Sequence, residues 1–170
     1  MTVMILGVGN ILRSDDGFGI YVVQRLQREY DFAKRVVILD GHILGLNLMP
    51  LVLESDGLMI VDTMVTNGRP GDIYRLEGES ILLNGDKRRH SVHQLKLQDM
   101  LGICRVLFGL PPTVIFGIEP FSLDVGAHLT PFIAGRVDKM IGMLLGELEA
   151  MKIDWKPKDP TLCVLPFRQK

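Results

Sequence analysis

The chain has few cysteines and little net charge, and both shortages narrow the possible functions. Cys104 and Cys163 are the two cysteines among 170 residues, so we expect a protein of a reducing compartment, without a disulfide. Lysine and arginine (19) nearly balance aspartate and glutamate (20), and the net charge of −1 gives no electrostatic attraction to nucleic acid. The composition therefore favours a cytoplasmic protein that does not bind nucleic acid.

Long apolar runs and two common hydrolase motifs are also missing. Charges interrupt the apolar runs before they reach the length of a bilayer, so we expect no membrane insertion. The first residues indicate a strand and a glycine turn rather than a basic region with a cleavage site, so we expect no export signal. The sequence contains neither Gly-x-Ser-x-Gly nor His-Glu-x-x-His, which excludes a nucleophile-elbow serine hydrolase and a zincin.

Strand and helix patterns alternate along the chain, which indicates a three-layer α/β domain with a sheet between helices. We assign residues 1–154 to one catalytic domain and residues 155–170, which contain prolines and basic residues, to an irregular tail. We expect a monomer. The predicted strands are Val3 to Leu6, Val36 to Leu39, Leu58 to Val61, Asp72 to Leu76 (an edge strand) and Thr113 to Ile118, and the predicted helices span 46–54, 91–108 and a segment that begins at Thr130-Pro131.

The first strand runs into a glycine-rich turn, Gly7-Val8-Gly9-Asn10-Ile11-Leu12, followed by Asp15-Asp16-Gly17-Phe18-Gly19. Glycines allow the sharp turn of a dinucleotide-binding loop, but Leu12 occupies the place of its third glycine. Two carboxylates at positions 15 and 16 repel phosphate and attract a cation. The turn therefore has the shape of a nucleotide loop and the charge of a metal site.

Three residues at strand ends and a helix start form a candidate metal site: Asp16, Asp62 and His93. Asp16 follows the first predicted strand and Asp62 the third, and these two strands are usually neighbours in a doubly wound sheet. His93 begins the helix after a long polar loop. Two carboxylates and an imidazole suit zinc or nickel, and three ligands leave coordination positions open.

The same residues have simpler interpretations, which the pattern alone leaves open. Asp15 and Asp16 can each be a helix cap, and Asp62 can cap a loop. A histidine at a helix start is often only a hydrogen-bonding residue, and His90 lies on the same helical face as His93 and competes with it as a ligand. The basic run Lys87-Arg88-Arg89 is either a solvated loop or the rim of the crevice that Asp16 and Asp62 are expected to face.

Four motifs in order resemble those of the nickel–iron hydrogenase maturation endopeptidases. They are the turn from Gly7 to Gly19, Ile60-Val61-Asp62, Ser91-Val92-His93-Gln94 and Gly117-Ile118-Glu119-Pro120. The resemblance covers roughly residues 1–150 and implies a five-stranded mixed sheet, mostly parallel, with one antiparallel strand. The chain departs from the family after its second strand, where Asp40-Gly41-His42-Ile43 replaces the usual Asp-Gly-Gly-Thr.

The resemblance also implies a function. The expected enzyme removes the C-terminal extension of the nickel-loaded hydrogenase large-subunit precursor, and the precursor's nickel serves as the recognition signal. Asp16, Asp62 and His93 would bind that metal and form the catalytic site, and zinc or cadmium would substitute in crystals. Two alternatives stay open: a non-catalytic nickel carrier or assembly factor that uses the same ligands, and a dinucleotide-dependent oxidoreductase in which Asp40 contacts a ribose.

Overall fold

A five-stranded mixed sheet forms the centre of the structure, a computed structural model that describes residues 1–41, 48–77 and 101–159. The strands of the chain are β1 (Val3–Gly7), β2 (Tyr30–Phe32), β3 (Val36–Asp40), β4 (Gly57–Thr63), β5 (Ile73–Glu77), β6 (Thr113–Ile118) and β7 (Trp155–Pro157). The large sheet has the order β3-β1-β4-β6-β5, in which β5 is antiparallel to β6 and the other pairs are parallel. The predicted fold class and the antiparallel edge strand are confirmed.

Helices cover both faces of this sheet because its inner strands are apolar on both sides. Every residue of β1 and β4 is buried. One face packs against α1 (Phe18–Glu29) and α5 (Val137–Ala150), and the other packs against α2 (Met49–Leu53) and α3, the helical residues 101–107. Alternate residues of each strand point to opposite faces, so each inner strand contributes to both cores.

The segment after Thr130 forms two helices rather than one. A four-residue helix, α4 (Pro131–Ala134), is followed by a break at Gly135-Arg136 and then by α5. The apolar positions predicted for this segment are buried: Ile133, Val137, Met140, Ile141, Leu144 and Leu148. Within the described ranges, no helix is both long and apolar enough to cross a membrane.

The tail from Trp155 is not irregular at its start, contrary to the prediction. Residues 155–157 are β7, which pairs in antiparallel fashion with β2 in a separate two-stranded sheet. The cause is a long-range aromatic contact: the Trp155 ring packs edge-on against the Tyr30 ring, with centroids 5.5 Å apart. The ammonium of Lys158 also donates to the Gln27 carbonyl at 2.6 Å. The predicted tail beyond residue 159 lies outside the described residues.

Cys104 offers a test of the core between the sheet and α3. Its side chain is fully buried, and this burial raises the pKa of the thiol above its usual value. In a Cys163→Ala variant, which leaves Cys104 as the one thiol, we expect a thiol reagent to label the native protein no faster than it unfolds.

The pH dependence of the stability of the Cys163→Ala variant follows from the raised pKa of the Cys104 thiol. The unfolded thiol loses its proton at a lower pH than the buried one, so stability is retained below the unfolded pKa and falls as pH rises through the folded pKa. Urea midpoints measured on either side of the unfolded value check the sign. Labelling of the native protein at the rate of an exposed thiol would contradict this packing.

Candidate functional site

The two predicted aspartates lie at the carboxyl ends of neighbouring parallel strands. Asp16 belongs to a 3₁₀ turn (Ser14–Gly17) after β1, and Asp62 is the residue before the last in β4. The Thr63 hydroxyl donates to the Asp15 carbonyl at 2.8 Å, so the turn contacts the end of β4 directly. Asp16 is 3% exposed and Asp62 is 7% exposed. Both residues therefore lie at the carboxyl edge of the sheet, after neighbouring strands.

Two glycines allow this close approach. Gly9 has φ of 136°, a conformation that L side chains rarely adopt, and a Cβ atom there would overlap the Asp16 carbonyl. Gly19 lies in the first turn of α1, and a Cβ atom there would overlap the carbonyl oxygen of Val61 in β4. The start of α1 thus packs on the backbone of β4 without a side chain between them.

Asp15, unlike Asp16, has a structural role: its carboxylate anchors a loop that is distant in the sequence. Its carboxylate accepts hydrogen bonds from the backbone amides of Phe121, Ser122 and Thr130 and from the Thr130 hydroxyl, at 2.7 to 3.0 Å. The residue has no exposed surface. Because α1 begins at Phe18 behind Gly17, Asp15 is not the N-cap residue of that helix. The sequence motif does not indicate this anchoring role.

Glu119 anchors the segment after Asp62 in a similar way. Its carboxylate accepts from the amide and hydroxyl of Thr66, at 2.6 to 3.0 Å, and from the Tyr74 hydroxyl at 3.3 Å. Glu119 is 4% exposed. The sequence motif around Glu119 indicates no role for this residue, and the structure assigns it to holding the loop between β4 and β5.

The face of β4 that carries Asp62 is the one that α3 covers. Asp62 lies on the same face of β4 as Leu58 and Ile60, because side chains two residues apart in a strand point the same way. Leu58 and Ile60 pack with Leu101 and Cys104 of α3. His93 precedes Leu101 by eight residues in the sequence but lies outside the described residues, as do His90, His42 and the run from Lys87 to Arg89. Among residues 1–41, 48–77 and 101–159, no group of three His, Cys, Asp or Glu side chains could hold a metal. The roles of Asp16, Asp62 and His93 stay predictions.

Comparisons with known proteins identify relatives across most of the chain. Residues 20–147 match the family model described as hydrogenase maturation protease. The hydrogenase 2 maturation protease of Escherichia coli is 30% identical over 161 residues, which cover 94% of this chain and 98% of that protein. The hydrogenase expression/formation protein HupD of Rhodobacter capsulatus is 30% identical over 89% of this chain and 73% of its own length.

Solved structures agree with the observed architecture. The hydrogenase maturating endopeptidase HybD of E. coli superposes with a TM-score of 0.87 at 30% identity, over 93% of this chain and 98% of that one. HybD of Thermococcus kodakarensis has a TM-score of 0.72 at 23% identity, over 86% and 98% of the two chains, and shows the shared fold. These matches disfavour the dinucleotide-dependent oxidoreductase. Asp40, the residue that would contact a ribose in that alternative, accepts a hydrogen bond from the Gln24 side chain of α1 at 3.3 Å.

Replacing Asp15 by asparagine should destabilise the protein by about 2–3 kcal/mol, because the amide group would present N–H donors to backbone N–H donors. Urea unfolding of Asp15→Asn measures the loss. The matched control is Asp124→Asn on the same loop, where the exposed carboxylate accepts from the Ser122 hydroxyl. We expect the control to stay within about 0.5 kcal/mol. Equal losses in both variants would refute the anchoring role.

Two helical glycines should respond to alanine in opposite directions. Gly19→Ala forces a Cβ atom against backbone and should cost roughly 1–3 kcal/mol. Gly142 lies in α5, and a Cβ atom added there would have no neighbouring atom within 4 Å, so Gly142→Ala should stabilise the protein by about 0.5–1 kcal/mol. Thermal melting of both variants tests the contact between α1 and β4. A stabilising Gly19→Ala would show that the helix does not pack this closely.

Proposed function

The chain belongs to the hydrogenase maturation protease family, and from this premise we propose that it removes the C-terminal extension of a hydrogenase large-subunit precursor. The family assignment makes the protein a hydrolase. Its similarity to the E. coli hydrogenase 2 maturation protease spans nearly the full length of both chains, which supports the same class of substrate. The proposed partner is therefore a hydrogenase precursor.

We further propose that nickel held by the precursor is the recognition signal. The observation that carries this proposal is the burial of Asp16 and Asp62 in neighbouring positions at the carboxyl edge of the sheet. Two carboxylates at one edge of the sheet carry like charges that oppose one another, and a divalent ion brought by the substrate would balance them. His93 is proposed as a third ligand, and an oxygen and imidazole set suits nickel.

We also infer that water, rather than a side chain of the described residues, attacks the scissile peptide bond. The Cys104 side chain of α3 is buried against the sheet and the pKa of its thiol is raised, so this thiol is a poor nucleophile. The Thr63 hydroxyl, next to Asp62, donates to the Asp15 carbonyl. Addition of water to the carbonyl carbon would break the carbon–nitrogen bond, leave a new C-terminal carboxyl group and release the extension as an amine.

The experiment that tests this function compares nickel-loaded and nickel-free precursor in a purified cleavage assay. We expect the enzyme to shorten the nickel-loaded precursor and to leave the nickel-free precursor uncut. Equal cleavage of both would remove nickel as the signal while keeping the protease. Binding of the nickel-loaded precursor without cleavage would indicate an assembly factor instead.

Variants in the same assay test the proposed ligands. Asp16→Asn, Asp62→Asn and His93→Ala should each lower the cleavage rate at least about 100-fold, because a neutral amide or a methyl group is a poor replacement for a metal ligand. Asp154→Asn, which alters an exposed aspartate between α5 and β7, should cleave at the wild-type rate. Circular dichroism confirms that each variant is folded. Unchanged cleavage by any of the three would remove that residue from the ligand set.

A further inference from the structure

Exposed apolar side chains cluster beside the turn that carries Asp16. They come from two segments, residues 11–12 and 121–132, and we call the four of them the apolar rim: Leu12 (62% exposed), Phe121 (65%), Val125 (92%) and Phe132 (48%). Soluble proteins rarely expose large apolar side chains in contiguous groups unless the group binds a partner. This surface is therefore a candidate interface.

The backbone under the apolar rim is fixed rather than adaptable. Gly126 donates to the Leu12 carbonyl at 3.0 Å and accepts from the Ser14 amide at 2.9 Å, so the two segments are paired. The Phe121 amide donates to the buried Asp15 carboxylate. The rings of Phe121 and Phe132 lie 6.4 Å apart, within the range of aromatic pairs. A surface held in place in this way loses little conformational entropy when it binds.

Charged groups next to the apolar rim are engaged within the same segments. The Arg13 guanidinium donates to the Leu123 carbonyl at 3.2 Å, and that of Arg136 stacks over the Phe132 ring at 5.2 Å. The Asp124 carboxylate accepts from Ser122. The chemistry offered to a partner is consequently apolar and aromatic, bordered by two guanidinium groups and a carboxylate that contacts within the same segments hold in place.

We propose that the apolar rim docks the hydrogenase large-subunit precursor, through apolar side chains of the precursor near the scissile bond. This inference rests on the proposed function. Leu12 precedes Asp16 by four residues in the turn after β1, and Gly126 is hydrogen-bonded to Leu12, so the rim borders the segment that carries Asp16 and a precursor bound at Asp16 would lie next to it. A second copy of this chain bound there would instead obstruct access to the site, which makes the substrate the consistent occupant.

A second group of exposed apolar side chains lies on α3 and is the competing candidate surface, and the control pair of substitutions is taken from it. Val106 (81% exposed) and Phe108 (62%) lie at the end of α3 and resemble Val125 and Phe121 in type and exposure. We compare Phe121→Ser/Val125→Ser with Val106→Ser/Phe108→Ser. The first pair keeps the backbone amide of residue 121 that donates to Asp15, so the anchor is not removed by the substitution.

The test measures kcat and KM for nickel-loaded precursor at low and moderate salt. We expect the Phe121→Ser/Val125→Ser enzyme to show a KM raised about tenfold or more, with kcat within about twofold of wild type and little salt dependence, because buried aromatic anchors dominate binding energy. The control pair should match wild type. Melting curves establish that both variants are folded.

Each other result overturns the proposal or the function beneath it. A wild-type KM for the rim variant excludes the rim as a docking surface, and a raised KM in the control pair alone places docking on α3. A wild-type dimer in sedimentation that the rim substitutions dissociate makes the rim a self-interface. Failure of the wild-type enzyme to cleave the precursor refutes the proposed function separately.

Discussion

The arrangement of the site depends on one buried carboxylate, that of Asp15. It gathers three backbone amides and a hydroxyl from residues 121–130 onto the turn after β1, across a separation of at least 106 residues in sequence. Several hydrogen bonds to one ionised and buried carboxylate are stronger than bonds between neutral groups. The loop after β6 therefore takes its position from a residue that follows β1. The turn of Asp16 and the apolar rim are both consequences of this contact.

Glu119 completes the arrangement from the other side. Glu119 directly follows β6, two residues before the first contact of Asp15, and its carboxylate holds Thr66 in the segment after Asp62. Each of the two predicted metal-binding aspartates is thus followed or preceded by backbone that a buried carboxylate holds in place. Stable anchors next to a site reduce the freedom of its ligand groups, which favours tight positioning of whatever cation or substrate group arrives there.

Sequence reasoning predicted the parts of the fold that local pattern determines. Strands β1, β4 and β6 are apolar on both faces, and β5 alternates, so their positions and the edge character of β5 follow from periodicity. Strands β2 and β7 have three residues each and depend on the contact of Trp155 with Tyr30, which pairs residues far apart in the chain. Motif order indicated the family, but the anchoring roles of Asp15 and Glu119 depend on donors from distant loops, which no local pattern contains.

Asp15 and Asp16 are adjacent and of the same type, and the structure is needed to distinguish their roles. In the 3₁₀ turn, successive side chains leave the backbone in different directions, so the two neighbouring carboxylates have different surroundings. The amides of Phe121 and Ser122 donate to Asp15, which assigns the anchoring role to this residue. The loop after β6 engages the Asp15 carboxylate, and Asp16 is proposed as a metal ligand together with Asp62. The two-aspartate motif therefore combines a structural anchor and a proposed ligand in consecutive positions, on a turn whose backbone packs closely against Gly9 and accepts from the Asn10 amide.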